Sequence, residues 1–262
     1  WLFNHEALMH LCARIKALLP QVIIALGGPE FLGDNETFLR NNPFVSCVFR
    51  GEGEEVFPQW LASYESTEQW ASIHGMCFVD ARNKYRDNGK AIVMNFDRLT
   101  PPEESEFFNW GKPFVQLETT RGCFNTCAFC VSGGEKPVRT LSIEQIKQRL
   151  DLIHKHGIKD VRLLDRTFNY NMHRAKALLQ LFKEYAPHMR FHLEIHPALL
   201  TEELKQELVT LPTGLLHLEA GIQSLREEVL TISQRKGGLE NALQGLSYLC
   251  SLPNMVTHAD LI

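Results

Sequence analysis

Apolar positions along the chain follow two alternating rhythms. In the first stretch, Leu8, Leu11, Cys12, Ile15, Leu18 and Leu19 fall on one stripe of a helix over residues 4–19, and Pro20 ends it. Residues 21–26 (QVIIAL) are a continuous apolar run of the kind a buried parallel strand needs. Gly27-Gly28-Pro29 breaks the run, a short helix is expected over 35–40, and a second strand over 44–49 (FVSCVF). Gly51-Glu52-Gly53 then opens a helix through Val56, Phe57, Trp60 and Leu61. Two βα steps of this kind read as the back half of an open α/β domain, whose turns at the carboxyl ends of strands are where such sheets bind ligands.

The pattern then loosens. Residues 73–79 alternate, Asp87-Asn88-Gly89-Lys90 carries the Asn-Gly sign of a tight turn, and residues 91–94 are expected to return as the second arm of a hairpin. A Pro-, Glu- and aromatic-rich linker runs to residue 112. From Pro113 a regular beat begins, with strands expected at 114–118, 161–164, 191–195, 215–219 and 256–262. Helical patterns lie between them, one started by the capping box Ser142-Ile143-Glu144-Gln145 and one capped by Thr201. Strands alternating with helices mean βα units around a parallel sheet, and five such strands suit a (β/α) barrel, complete or open. The expected organisation is therefore an α/β unit at 1–66, a hairpin and linker at 67–112, and a partial barrel of about five βα units at 113–262. Residue 1 is Trp and the last residues read as the middle of a strand, so the sequence is expected to be a piece of a longer polypeptide.

Composition narrows the function little. The 262 residues are 44% hydrophobic and 22% charged, ordinary for a globular protein. Twenty-seven Lys and Arg against 31 Asp and Glu leave a formal charge of −4, which gives no basic excess for nucleic acid. No apolar stretch approaches the ~20 residues that span a bilayer, so no membrane partner is expected. Seven cysteines are a poor disulfide framework, and three of them crowd together at Cys123, Cys127 and Cys130. That distribution suits a reducing, cytoplasmic setting with one local metal site.

The trio follows the first barrel strand with the spacing C-x3-C-x2-C. Thiolates are soft ligands for iron–sulfur clusters or zinc. Zinc wants four ligands, usually as two separated pairs, and no second Cys-x-x-Cys lies nearby. A [4Fe–4S] cluster normally takes four cysteines, so three leave one iron open for a ligand. A non-catalytic iron–sulfur or zinc protein stays as an alternative from a different class.

The run Glu118-Thr119-Thr120-Arg121-Gly122-Cys123 through Cys130, with Phe129 just before the last cysteine, resembles the signature of the radical S-adenosylmethionine (SAM) superfamily. The resemblance covers residues 113–262. It implies a [4Fe–4S] cluster on Cys123, Cys127 and Cys130, SAM held on the open iron, reductive cleavage of SAM to a 5′-deoxyadenosyl radical, and an electron donor such as flavodoxin or ferredoxin. It also implies SAM contacts at Phe129, at Asp165, Thr167 and Asn169 after the second barrel strand, at Glu194 in the third, at Gln223 ending the fourth, at Arg235 twelve residues later as the partner of the SAM carboxylate, and at Asp260 in the fifth. The family's glycine-rich form of the turn at 165–169 is absent. The sequence does not specify the substrate.

The segment before the barrel, with Gly27-Gly28-Pro29-Glu30 and Arg50-Gly51-Glu52-Gly53, resembles the end of the cobalamin (B12)-binding domain that precedes many radical SAM barrels. Gly27 and Gly28 are thereby candidates for close approach of cobalamin, a ligand assigned to a longer parent because the cobalt-ligating Asp-x-His-x-x-Gly segment is not in this sequence. Methylation or rearrangement are the outcomes that this layout suggests. Methylthiotransferases are the rival within the superfamily, since they place three further cysteines before the barrel. Here Cys12, Cys47 and Cys77 lack the Gly-Cys and Asn-Thr-Cys contexts of those enzymes.

Overall fold

The computed structural model describes residues 4–132 and 135–261, so residues 1–3, Gly133, Gly134 and Ile262 lie outside the described residues. The chain divides into two compact units, Trp1–Met94 and Asn95–Ile262. No helix among the described residues is long and apolar enough to cross a membrane.

In the first unit α1 (His5–Leu18) precedes β1 (Ala25–Leu26), α2 (Glu36–Asn41), β2 (Cys47–Phe49), α3 (Val56–Leu61), α4 (Thr67–Trp70), β3 (Met76–Val79) and β4 (Tyr85–Asp87). The sheet order is β1-β2-β3-β4, with β1 parallel to β2 and the rest antiparallel. One face of the sheet buries Cys47, Phe49, Trp60, Trp70 and Phe78, and the other buries Cys12, Leu39, Val48 and Cys77. The hairpin that the sequence set apart at 67–112 is thus the antiparallel half of this sheet, because Cys47 and Val48 pair with Phe78 and Cys77.

The hairpin turns earlier than Asn88-Gly89 suggests. Val79 pairs with Tyr85, and Asp80 Oδ1 accepts from the amides of Arg82 and Lys84 at 3.0 and 2.9 Å while Asn83 takes φ 57°. A side chain that bonds its own turn competes with an Asn-Gly further on and wins here. After β4 the chain returns only as a single parallel bridge, Gly51 to Ala91. That bridge needs glycine, because a Cβ on Gly51 would sit 2.3 Å from Ala91 O.

The second unit holds β5 (Val115–Leu117), β6 (Thr120–Arg121), β7 (Arg139–Thr140), α5 (Ile143–Lys155), β8 (Asp160–Leu163), α6 (Met172–Lys183), β9 (Arg190–Ile195), α7 (Glu202–Val209), β10 (Leu216–Gln223), α8 (Glu227–Ile232), α9 (Leu239–Ser251) and β11 (Val256–Leu261). β5, β8, β9, β10 and β11 form one five-stranded parallel sheet in chain order. This is the open part of a (β/α) barrel. Alternate residues such as Phe191, Leu193, Leu216, Leu218 and Ala220 are buried. The others, His192, Glu194, His217, Glu219, His258 and Asp260, line the inner face by the period of two.

Local signals start the helices as the sequence predicts. Ser142 Oγ accepts from Gln145 N at 3.2 Å, and Thr201 Oγ1 accepts from Leu204 N at 3.3 Å. In the linker, Glu103 is buried and takes a two-pronged bond from Arg149 of α5, at 2.7 and 3.0 Å. α9 packs hard against the exit of β9, since a Cβ on Gly245 would lie 2.0 Å from Pro197 O.

Candidate functional site

The site is built outward from Asp165, which follows β8 and is 1% exposed. Its Oδ1 accepts from Thr119 N and Thr120 N at 2.7 and 2.8 Å, and its other oxygen bonds the Thr119 hydroxyl. Thr119 O in turn accepts from Arg174 Nη2 and Leu141 N, both at 2.9 Å. Burial pushes the Asp165 carboxyl above its ordinary pKa, against the pull of these donors. The result is a fixed exit from β5 into β6.

Gly122 comes next with φ 99°, and a Cβ there would stand 2.7 Å from Glu135 O, so the chain passes this point only as glycine. The cysteine loop that follows is tied at both ends. Cys123 N donates to Glu135 O at 3.0 Å, Ala128 N to Ser233 O at 2.9 Å, and Asn125 Oδ1 accepts from Lys236 N at 3.2 Å. The loop is therefore stitched to the segment that carries Arg235.

One cavity collects Cys123, Cys127, Phe129, Cys130, Thr167, Glu194, Gln223, Arg235 and Asp260, so the structure brings together nine of the residues singled out in the sequence. Cys127 is buried, Cys123 half-buried and Cys130 exposed. Burial raises the Cys123 thiol, with the neighbouring Cys130 and Cys127 adding to it and the Asn125 amide and Thr167 hydroxyl opposing. Gln223 ends β10 with φ 71°, which folds its amide back onto Gly221, where a Cβ would meet Gln223 Nε2 at 2.3 Å. Arg235 Nη2 donates to Gly221 O at 2.5 Å, and that bond fixes the guanidinium at the end of β10. Burial lifts Glu194 to about 7, with Arg166 pulling it down and Glu219, Asp165 and Asp260 pushing it up.

Asp165 and Asn169 do not line the cavity. Asp165 is spent on Thr119 and Thr120 as above. Asn169 is buried and forms a pair of bonds with the backbone of His196, donating to His196 O at 3.0 Å and accepting from His196 N at 2.8 Å. Both residues position cavity walls. The sequence reading passed over Arg166, His196 and Glu219, all of which line the cavity. His196 is 3% exposed, and burial followed by Arg235 holds it at about 4, a neutral imidazole. The Lys236 amide beside it is already given to Asn125. For Glu219 the available signal is the alternation of β10, which puts it on the face of Gln223.

In the first unit, Gly28 has φ 104° with nothing within 4 Å of a built Cβ, and a Cβ on Gly27 would make only ordinary contact with Phe49. Gly28 is required by its backbone conformation, and the space beyond it is open.

The profile of the radical SAM superfamily matches residues 117–258, over half of the chain. The chain belongs to the radical SAM superfamily. Enzymes of this superfamily use a [4Fe–4S] cluster and SAM. An uncharacterized methyltransferase of Pyrococcus horikoshii is 28% identical over 168 residues, which is 61% of this chain and 37% of that protein. The tRNA-2-methylthio-N(6)-dimethylallyladenosine synthase of Acinetobacter baylyi is 25% identical across 95% of this chain and 51% of its own length. Among solved structures, the cobalamin-dependent S-adenosylmethionine radical enzyme OxsB, with aqua-cobalamin and SAM bound, superposes with a TM-score of 0.76 at 17% identity, covering 99% of this chain and 39% of OxsB. The chain thus spans 37% to 51% of the three proteins named, and the likeness to OxsB is one of fold.

The residues present fit the family's cofactors. Three thiols from one loop meet at a cavity that also holds two guanidinium groups, Arg166 and Arg235, and three carboxyls, Glu194, Glu219 and Asp260. SAM carries a sulfonium, an ammonium and a carboxylate, so a wall of both signs is the complement it needs.

Proposed function

We propose that this chain is the cluster- and SAM-binding part of a radical SAM methyltransferase, with Cys123, Cys127 and Cys130 as the cluster ligands. The observation that carries this reading is the convergence of the three cysteines, Arg235, Glu194, Gln223 and Asp260 on one cavity at the carboxyl ends of parallel strands. When bound, the cluster supplies the one electron that cleaves SAM to a 5′-deoxyadenosyl radical, and a flavodoxin or ferredoxin of the cytoplasm is the donor.

The chain's own residues bind and orient. Arg235, braced on Gly221 O, offers its fork to the SAM carboxylate. Glu194 and Asp260, from β9 and β11, take ribose hydroxyls or the ammonium. Phe129, half-exposed at the rim, gives an apolar face to the adenine. Thr167 and Gln223 complete the polar wall. Asp165 holds the strand exit from which the cysteine loop springs.

Methylation is the favoured outcome because the Pyrococcus horikoshii relative is a methyltransferase. The likeness to a cobalamin-dependent radical enzyme extends through the first unit. In this reading the parent protein binds cobalamin, with Gly27 and Gly28 at the edge of that site. Methylthiolation is disfavoured by one observation. Cys47 pairs with Phe78 and Cys77 with Val48, so the two thiols lie on opposite faces of the sheet and cannot share a cluster. Burial, then Cys77, also pushes the Cys47 thiol up to about 12, far from a ready thiolate ligand.

The test is anaerobic reconstitution of the full-length protein with analysis of iron, cobalt and nucleoside products. About four irons per chain, 5′-deoxyadenosine on reduction with SAM, and loss of the cluster in Cys127→Ala are expected. Arg235→Ala should keep the iron and weaken SAM binding about one to two decades, the worth of a charge-assisted pair. About eight irons would restore the methylthiotransferase reading, and stable zinc without iron uptake would defeat the enzyme reading.

A further inference from the structure

His196 follows β9 in the cavity wall and is 3% exposed. Both of its ring nitrogens are sealed from solvent, and among the described residues neither has a hydrogen-bond partner. The buried polar side chains around it are matched. Asn125 Oδ1 accepts from Lys236 N at 3.2 Å, Thr167 Oγ1 donates to Arg166 O at 2.6 Å, and Asn169 is spent on the His196 backbone.

The imidazole is also held in place. Asn169 pins the backbone of His196 through both its N–H and its carbonyl, at 2.8 and 3.0 Å. Gly237 has φ 108°, and a Cβ there would stand 3.1 Å from His196 Cε1, so the backbone two residues past Arg235 lies against the ring. Phe124, inside the cysteine loop, flanks the ring from another side, with centroids 6.0 Å apart. A buried polar group without a partner weighs against the fold. Leucine would fill much of the same space without that cost. An imidazole fixed in a ligand cavity with both nitrogens unmatched is a group that a ligand satisfies.

Arg235 decides which part of the ligand that is. Its guanidinium faces the same cavity, braced on Gly221 O, and the segment from Arg235 to Gly237 runs from that brace to the His196 ring. Burial, then the charge of Arg235, keeps the imidazole neutral. A neutral ring carries one N–H and adds no second positive charge beside the guanidinium. We propose that His196 binds SAM, donating a ring N–H to the same carboxylate that Arg235 pairs with. The proposal rests on the cavity being the SAM site and on Arg235 meeting the carboxylate there.

The experiment titrates full-length, cluster-loaded protein with two ligands under anaerobic calorimetry. One is SAM, and the other is decarboxylated SAM, which keeps the sulfonium and the amine. His196→Leu removes both ring nitrogens, and His196→Gln keeps a neutral donor. His196→Leu should bind SAM about tenfold more weakly or worse, and decarboxylated SAM within about twofold of wild type. His196→Gln should recover most of the lost SAM affinity. Without SAM, His196→Leu should melt at or above the wild-type temperature, because an unmatched polar group has left the interior. Unchanged SAM affinity in His196→Leu overturns the proposal. So does an equal loss for both ligands, or a lower melting temperature, either of which makes the histidine a structural one. Unchanged SAM affinity with a lowered cluster midpoint potential would hand the N–H to a cluster sulfur instead. Failure of iron-loaded wild type to bind SAM overturns the reading of the cavity itself, so the wild-type titration tells the two failures apart.

Discussion

Replacing Asp165 with alanine removes the acceptor of three bonds at once. Thr119 N, Thr120 N and the Thr119 hydroxyl would be left facing a methyl group in a place that is 1% exposed. A buried donor without a partner costs about 1–3 kcal/mol, and relief of the buried carboxyl offsets part of the sum. A net loss of about 3–6 kcal/mol is expected, a large share of the ~5–15 kcal/mol that holds a domain together, and a fall in melting temperature of roughly 10 °C or more. Asp165→Asn keeps one oxygen for the two amides and donates to the Thr119 hydroxyl, so it should lose only about 1–2 kcal/mol. The assay is thermal unfolding with iron per chain after reconstitution, on the full-length protein. The alanine variant should melt early and hold less iron, and the asparagine variant should stay near wild type in both. An alanine variant with wild-type melting and full iron but weakened SAM binding would refute the anchor and return Asp165 to the SAM site.

Two further outcomes follow from buried charge. Arg149→Ala leaves the Glu103 carboxylate buried without its two-pronged partner, and should destabilise by about 3–5 kcal/mol in calorimetry; the double variant Glu103→Gln with Arg149→Met should recover most of it. Glu194 has a folded pKa of about 7 against an ordinary 4.5, so the fold favours its protonated form. Its contribution to stability is complete below about 4.5 and is lost as pH rises through about 7. The difference in melting temperature between wild type and Glu194→Gln, followed from pH 4.5 to 8, should therefore grow in favour of the variant, and a constant difference would contradict the burial of that carboxyl.

The barrel strands were legible because two periodicities, two along the strands and 3.6 along the helices, alternate without interruption from Pro113 onward. The cysteine loop was legible because its spacing is local. What depends on contacts between distant segments was not. Asp165 and Asn169 have the residue types of ligand contacts, yet the same polar atoms serve Thr119, Thr120 and His196 across gaps of 27 to 46 residues that no local pattern reveals. Glu219 was missed for the complementary reason. Alternation gives the face of a strand, and only register against β9 and β11 shows which residues on that face meet. At the hairpin, the Asn-Gly pair is a strong signal that a stronger local bond at Asp80 displaced.

Gly245 sits on α9 and touches no cavity residue by its own side chain, having none. Yet the missing methyl is what allows α9 to rest against Pro197, one residue beyond the His196 wall. The cavity's width on that side is therefore set from outside the sheet, by an atom that is absent. Substitution at such a position would be transmitted inward through rigid backbone rather than absorbed by a side chain. Variation in ligand-binding strength within this protein can thus arise on the outer helical layer, where a survey confined to residues facing the ligand would never look.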